Sequence, residues 1–135
     1  MKPEPIQPAR ASKPAEAVKL VCEALSDGDF EAAVALYEPG ATLAIAAERS
    51  ACRTDEVRAA LSELMDRRLP VQVAVTREII TGDLALVRAV RAISGKAIDG
   101  SVVELAGEGE AVLRKRLDQG WQLVVDDWNL TRRTT

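Results

Sequence analysis

The chain has 135 residues, 47% hydrophobic and 29% charged, the size and balance of one globular domain. Its net charge of -3 leaves no broad positive field for phosphates, which argues against nucleic acid as a partner. It contains no histidine, and that excludes Ser-His-Asp and Cys-His chemistry, imidazole metal ligation and a histidine proton shuttle.

Cys22 and Cys52 lack the close paired spacing of a zinc or redox site, and no secretory apolar run precedes them. No apolar stretch approaches the roughly 20 residues that span a bilayer, so a reduced, cytoplasmic chain is the expectation. Cys22 falls on the apolar face of a predicted helix and reads as a small buried hydrophobe. Cys52 lies in a polar connection with no base beside it. Any acid or base must then be Asp, Glu, Tyr, Lys or Cys. The carboxylate spacing supplies no metal cluster, and no cofactor motif is present.

In chain order, residues 1–11 carry Pro3, Pro5 and Pro8 without periodicity and are expected to form a disordered tail. Ser12 is the expected N-cap of a first helix, with Pro14 in its first turn, and Asp27-Gly28 ends the run Ala17, Val18, Val21, Ala24, Leu25. Asp29 caps a second helix whose stripe is Phe30, Ala33, Val34, Leu36 and Tyr37, ended by Pro39-Gly40. Ala41 to Ala47 has strand length, and Thr54 is the expected cap of a third helix with Val57, Ala60, Leu61, Leu64 and Met65 on one face. Beyond Pro70 the period becomes two: VQVAVTREII, a turn at Thr81-Gly82-Asp83, LALVRAVRAI, and a strand running to Leu117 that bends at Gly107 and Gly109. Asp118-Gln119-Gly120 turns the chain into a last strand, Trp121 to Leu130, leaving residues 131–135 as a short tail. Helices grouped ahead of long strands joined by short turns predict one α+β domain over residues 12–130, with helices on one face of an antiparallel sheet.

The segments LYEPGATL, TDEVRAALSELM, GDLALVR and VLRKRLDQGWQLVVDDWN together resemble the SnoaL-like branch of the nuclear-transport-factor-two-like superfamily. The resemblance covers about Ser12 to Leu130 and implies a cone: three N-terminal helices packed against a strongly curved antiparallel sheet, with a pocket between them, commonly as a homodimer. Its members include ketosteroid isomerases, polyketide cyclases, dehydratases and epoxide hydrolases, and also non-catalytic association modules. The isomerase's base is an aspartate at a position that falls near Ile45. No carboxylate occurs between Ala41 and Ala47, so that activity does not transfer.

Strict alternation along the last strand puts Trp121, Leu123, Val125, Asp127 and Asn129 on one face, read as concave, and Gln122, Val124, Asp126, Trp128 and Leu130 on the other. Asp127 is then the candidate acid or base at the cavity mouth, and Trp121 is core or pocket wall. Trp128 becomes a candidate dimer contact. Arg88 and Arg91 each interrupt an apolar alternation, and they read either as an anchor for a ligand carboxylate or the partner of Asp127, or as an edge or interface ion pair; Arg88 is taken as the ligand contact, with the inward choice left open. Tyr37, on its helix, is packing or a hydroxyl donor to a ligand. These residues predict a pocket for a small apolar metabolite, as a binding protein or a cofactor-free isomerase, cyclase or dehydratase, and a homodimer through the outer sheet face. The alternative is a non-catalytic association module with an incidental cavity.

Overall fold

The computed structural model describes residues 11–47, 52–53, 55–66 and 68–132. Helix α1 (Pro14–Asp27) follows from its apolar spacing: Ala17, Val18, Val21, Cys22, Ala24 and Leu25 are all buried. Its N-cap is Lys13 rather than Ser12, whose hydroxyl instead donates to Glu16 Oε2 at 2.8 Å. Gly28 closes the helix by donating its N–H to Leu25 O. Helix α2 (Phe30–Val34) is capped as expected by Asp29, whose side chain accepts from Ala32 N. It is shorter than its periodicity suggests, because Tyr37 already begins strand β1 (Tyr37–Ala46). Strand β2 (Cys52–Arg53) pairs with β1, so Cys52 sits in a strand and not in a loop. Helix α3 (Asp55–Asp66) follows; its expected cap Thr54 and most of the N-terminal tail lie outside the described residues.

Strands β3 (Val71–Thr81), β4 (Leu84–Lys96), β5 (Val102–Arg116) and β6 (Gly120–Arg132) form a continuous antiparallel meander. The full sheet has the order β2-β1-β6-β5-β4-β3 and is mixed. The expected all-antiparallel sheet is corrected at one seam, where β1 runs parallel to β6. These two strands are joined through α3 and the whole meander, so no hairpin constrains their relative direction. Helix α1 lies on the inner face against β3, β4 and β6. The core there joins α1 residues to Ala85, Val87, Ala89 and Ile93 of β4 and Ala111 and Leu113 of β5. No helix among the described residues is long and apolar enough to cross a membrane.

Two departures from regular pairing position the site. In β6, Val112 faces Val125 while Leu113 faces Leu123, so Val124 is an extra residue, a β-bulge. In β1, Tyr37 faces Leu123 but Thr42 faces Val125, so Glu38 to Ala41 swing out of register.

Candidate functional site

Alternation along β4 sends Ala85, Val87, Ala89, Arg91 and Ile93 inward, all buried. Arg91 is therefore the inward arginine. In β6 the bulge at Val124 reverses which residues face in: Trp121 and Leu123 are buried before it, Asp126, Trp128 and Leu130 after it. Strands β5 and β6 also approach closely beyond the bulge. A side chain at Gly107 would overlap the carbonyl oxygen of Asn129, and one at Gly109 that of Asp127, so only glycine fits at either position. Asn129 takes a left-handed φ of 52° and donates its Nδ2 to Glu108 O.

Four side chains from three strands meet at Asp126. Tyr37 Oη donates to Asp126 Oδ2 at 2.6 Å, Trp128 Nε1 donates to the same oxygen at 2.8 Å, and Arg91 Nη2 donates to Oδ1 at 2.9 Å. The Arg91 guanidinium also stands 4.6 Å from the centre of the Trp128 ring, a cation–π contact strengthened by the absence of water. Arg91 is 2% exposed and Asp126 and Trp128 are 0% exposed. Arg91 Nε and Nη1 make no hydrogen bond; the sulfur beside them, Cys22 on α1, is only a weak acceptor.

Burial sets the electrostatics of this cluster. Desolvation, reinforced by the Asp126 charge, raises the Tyr37 hydroxyl well above its ordinary range, so Tyr37 stays protonated and keeps donating. Burial also pushes the Cys22 thiol up to about 11, which makes it inert as a nucleophile at neutral pH. For Arg91, burial works against the charge, but the neighbouring Asp126, Cys22 and Tyr37 outweigh it and the net shift is upward. The cluster is thus a held ion pair with its carboxylate already accepting three hydrogen bonds and sealed from solvent. It can position Tyr37 and Trp128.

Several expected placements are corrected here. Asp127 does not face the interior: it is exposed on the outer side, because the bulge at Val124 adds one residue to the alternation and Asp126 takes the inward place. Trp128, expected on the outer face as a dimer contact, is fully buried for the same reason. Arg88 lies on the outer face and pairs with Glu110 at 2.7 Å, so it does not reach the interior cluster. Trp121 is buried in the core, its backbone N–H donating to Ala11 O, which also ties down Ala11, the last residue of the expected disordered tail. Tyr37 is inward as expected, but from a strand. Sequence alternation alone missed Asp126 and Trp128, whereas Cys22 is buried on α1 as expected; the glycine pair Gly107 and Gly109, two residues apart on one strand face, was the signal that β6 is irregular opposite them.

The out-of-register segment of β1 opens a surface cleft of about 200 Å³ between α2, β1 and α3, lined by Val34, Tyr37, Ala41, Val57, Glu38 and Arg58, with Pro39 and Gly40 at its edge. Tyr37 belongs to both the cleft and the buried cluster. Glu38 lies 3.1 Å from Arg114 of β5. On the outer sheet face a smaller depression of about 140 Å³ is lined by Arg77, Ile79, Leu86, Arg88 and Glu110. No group of three or more acidic or cysteine side chains suited to a metal ion occurs among the described residues.

No family model matches the sequence, and neither does any curated protein. Solved structures do match. A ketosteroid isomerase-like protein from Erwinia carotovora atroseptica superposes with a TM-score of 0.73 at 19% identity, covering 90% of this chain and 95% of that one. A dehydratase candidate of the nuclear-transport-factor-two-like family from Streptomyces avermitilis gives 0.71 at 21% identity, covering 90% and 94%. A candidate calcium/calmodulin-dependent protein kinase type II association domain from Thiobacillus denitrificans gives 0.67 at 16% identity, covering 97% and 100%. The α+β fold of this chain is therefore the nuclear-transport-factor-two-like fold. A fold shared by such different proteins leaves the activity to be argued from the site.

Proposed function

We propose that this chain is a small-molecule-binding domain of the SnoaL-like type, a strongly curved cone whose cleft between α2, β1 and α3 receives a small, largely apolar metabolite. The observation that carries the reading is that Tyr37 lines this cleft while its hydroxyl is held by the buried Asp126, itself held by Arg91 and Trp128. A rigid floor tied to a buried network is the arrangement a binding site needs, since ordering costs are met on folding and not on binding. At about 200 Å³ the cleft lies below the ~300–1,000 Å³ usual for drug-sized ligands, so a fused-ring substrate does not fit. Should the chain be an enzyme, the work is cofactor-free acid–base chemistry, and the acidic residue among those lining the cleft is Glu38. The kinship in fold with proteins named ketosteroid isomerase-like and dehydratase supports assaying such reactions.

The test is a thermal-shift screen of the purified protein against small metabolites. A ligand at a hundredfold over its Kd adds about 2.7 kcal/mol, a shift of several degrees at this chain length. Val34→Trp, which fills the cleft from its half-buried edge, is expected to remove the shift while the protein stays folded. A flat response to every compound overturns the reading.

A second reading, an association module, is favoured by the outer sheet face, which exposes Ile79, Leu84, Val112 and Val125, an apolar surface suited to a homodimer. Native mass decides it. Under this reading Val112→Arg converts a dimer to a monomer and leaves ligand binding unchanged; a wild-type chain that is monomeric at micromolar concentration removes it.

A further inference from the structure

Resting on the association reading and deepening it, we infer that the outer sheet face docks a second copy of this chain about a two-fold axis that runs parallel to the strands, between β4 and β5. Two rows of side chains that cross β3 to β6 carry the inference. In the first, Ile79, Leu86, Val112 and Val125 stand opposite one another, strand by strand, and Ile79, Val112 and Val125 are exposed. In the row beside it Arg77 stands opposite Arg88, and Arg88 opposite Glu110. Asp127 follows across from Glu110, one step on from the Ala111–Asp126 pair. Both rows depend on irregular pairing. The register shift between Val75 and Arg77 leaves Thr76 as an extra residue; without it Arg77 and Ile79 would share the inward face of Val75. Val124 does the same for Val125 and Asp127 at the other end.

The charged row is divided by sign, with arginines on β3 and β4 and carboxylates on β5 and β6. A single chain uses only part of it. Arg88 bonds its own Glu110, whereas Arg77 has no ion-pair partner among the described residues. A half-turn about an axis along the strands exchanges β3 with β6 and β4 with β5. It lays Ile79 over the partner's Val125 and Leu86 over the partner's Val112. It also brings Arg77 to the partner's Asp127 and Arg88 to the partner's Glu110, so apolar meets apolar and each charge in the row meets its opposite. The other in-plane axis, across the strands, sets Arg88 over the partner's Leu84, and Glu110 against the partner's Arg114; in each chain Arg114 is already held by Glu38. The size also fits. Strands of 11 to 15 residues, at about 3.4 Å per residue and about 4.8 Å apart, present a face of roughly 700 Å², close to the ~800 Å² per partner of a stable interface.

The test uses two charge-reversed full chains and reads native mass. Arg77→Glu with Arg88→Glu makes the row wholly negative, and Glu110→Arg with Asp127→Arg makes it wholly positive. Each alone is expected to weaken dimerisation about a hundredfold, the combined effect of four cross pairs of the size of exposed ion pairs. An equal mixture of the two is expected to restore a dimer containing one of each. A dimeric wild type whose reversed chains still dimerise alone, or fail to pair when mixed, would overturn this axis and leave the association reading standing. A wild type that is monomeric at micromolar concentration overturns both. Cysteine trapping decides the matter where a reversed chain folds poorly. Under oxidation, Leu86→Cys chains are expected to link to Val112→Cys chains and neither to itself; Leu86→Cys chains linked to one another would place the axis across the strands and overturn the inference.

Discussion

Strand β4 carries two arginine–carboxylate pairs that differ in almost nothing but water. Arg88 bonds Glu110 at 2.7 Å with the side chains 41% and 46% exposed; Arg91, three residues on and on the other face, bonds Asp126 at 2.9 Å with the side chains 2% and 0% exposed. The shorter contact is the weaker one for the fold. On the outer face the charges are solvated whether paired or not, and their contact replaces good hydration with an equivalent. In the interior neither charge has water to return to, so each depends on the other and on the Tyr37 and Trp128 side chains gathered around them. Position in the alternation, and not bond length, ranks the two pairs.

The sharpest way to break this contrast is to remove one inner partner. Asp126→Ala strands the Arg91 charge and two further donors, and is expected to cost about 3–5 kcal/mol in urea denaturation. Adding Arg91→Met should recover a large part of that loss, giving a strongly non-additive double-mutant cycle; additive losses would show that the two side chains do not act as a pair. Next in size is Gly109→Ala, which forces the β6 backbone away from β5 beside Asp126 and is expected to cost about 2 kcal/mol or more.

The third effect is alkaline. Cys22 has an ordinary value of 9.0 and a folded value of about 11. Between these the unfolded chain has released a proton that the folded one retains, so stability is full below pH 9 and falls as pH rises toward 11, by roughly 3 kcal/mol in total. Tyr37, also shifted upward, extends the fall above pH 10. Denaturant midpoints measured across pH 8–11 check this, and Cys22→Ala should flatten the lower part of the curve. The smallest effects belong outside. Arg88→Gln and Asp127→Asn are each expected to leave the melting temperature unchanged within error; a substantial loss from Asp127→Asn would mean that β6 does not place that side chain outward.

Much of this was legible in the residues. Helical spacing in α1, the Asp29 cap, the turns at Gly82 and Gly120 and the four-strand meander all follow from local rules that act within a few residues. Tyr37 was read as inward because its apolar neighbours are, even though its element was a strand. What could not be read was the polarity of β6 beyond Leu123. Period-two counting assumes that every residue has a partner, and a bulge is a property of two strands together, set by the approach of β5 to β6 at Gly107 and Gly109 and absent from either strand alone. Asp126 and Asp127 are adjacent and identical, so composition gave nothing with which to choose between them. Arg91 over Arg88 had the same difficulty. The excursion of β1 at Glu38 to Ala41 was hidden too, since Pro39-Gly40 reads as a helix stop as readily as a break in pairing.

The extra residue at Val124 has a consequence for how this chain tolerates length changes. Most single-residue deletions shorten a loop or shift an end. Removing Val124 would instead act like a frameshift in space: either the half-strand with Trp121 and Leu123 or the half with Asp126, Trp128 and Leu130 would rotate to the opposite side, carrying a tryptophan into water with it. A neutral, half-buried valine is thereby the spacer that lets two differently phased halves of one strand share an interior.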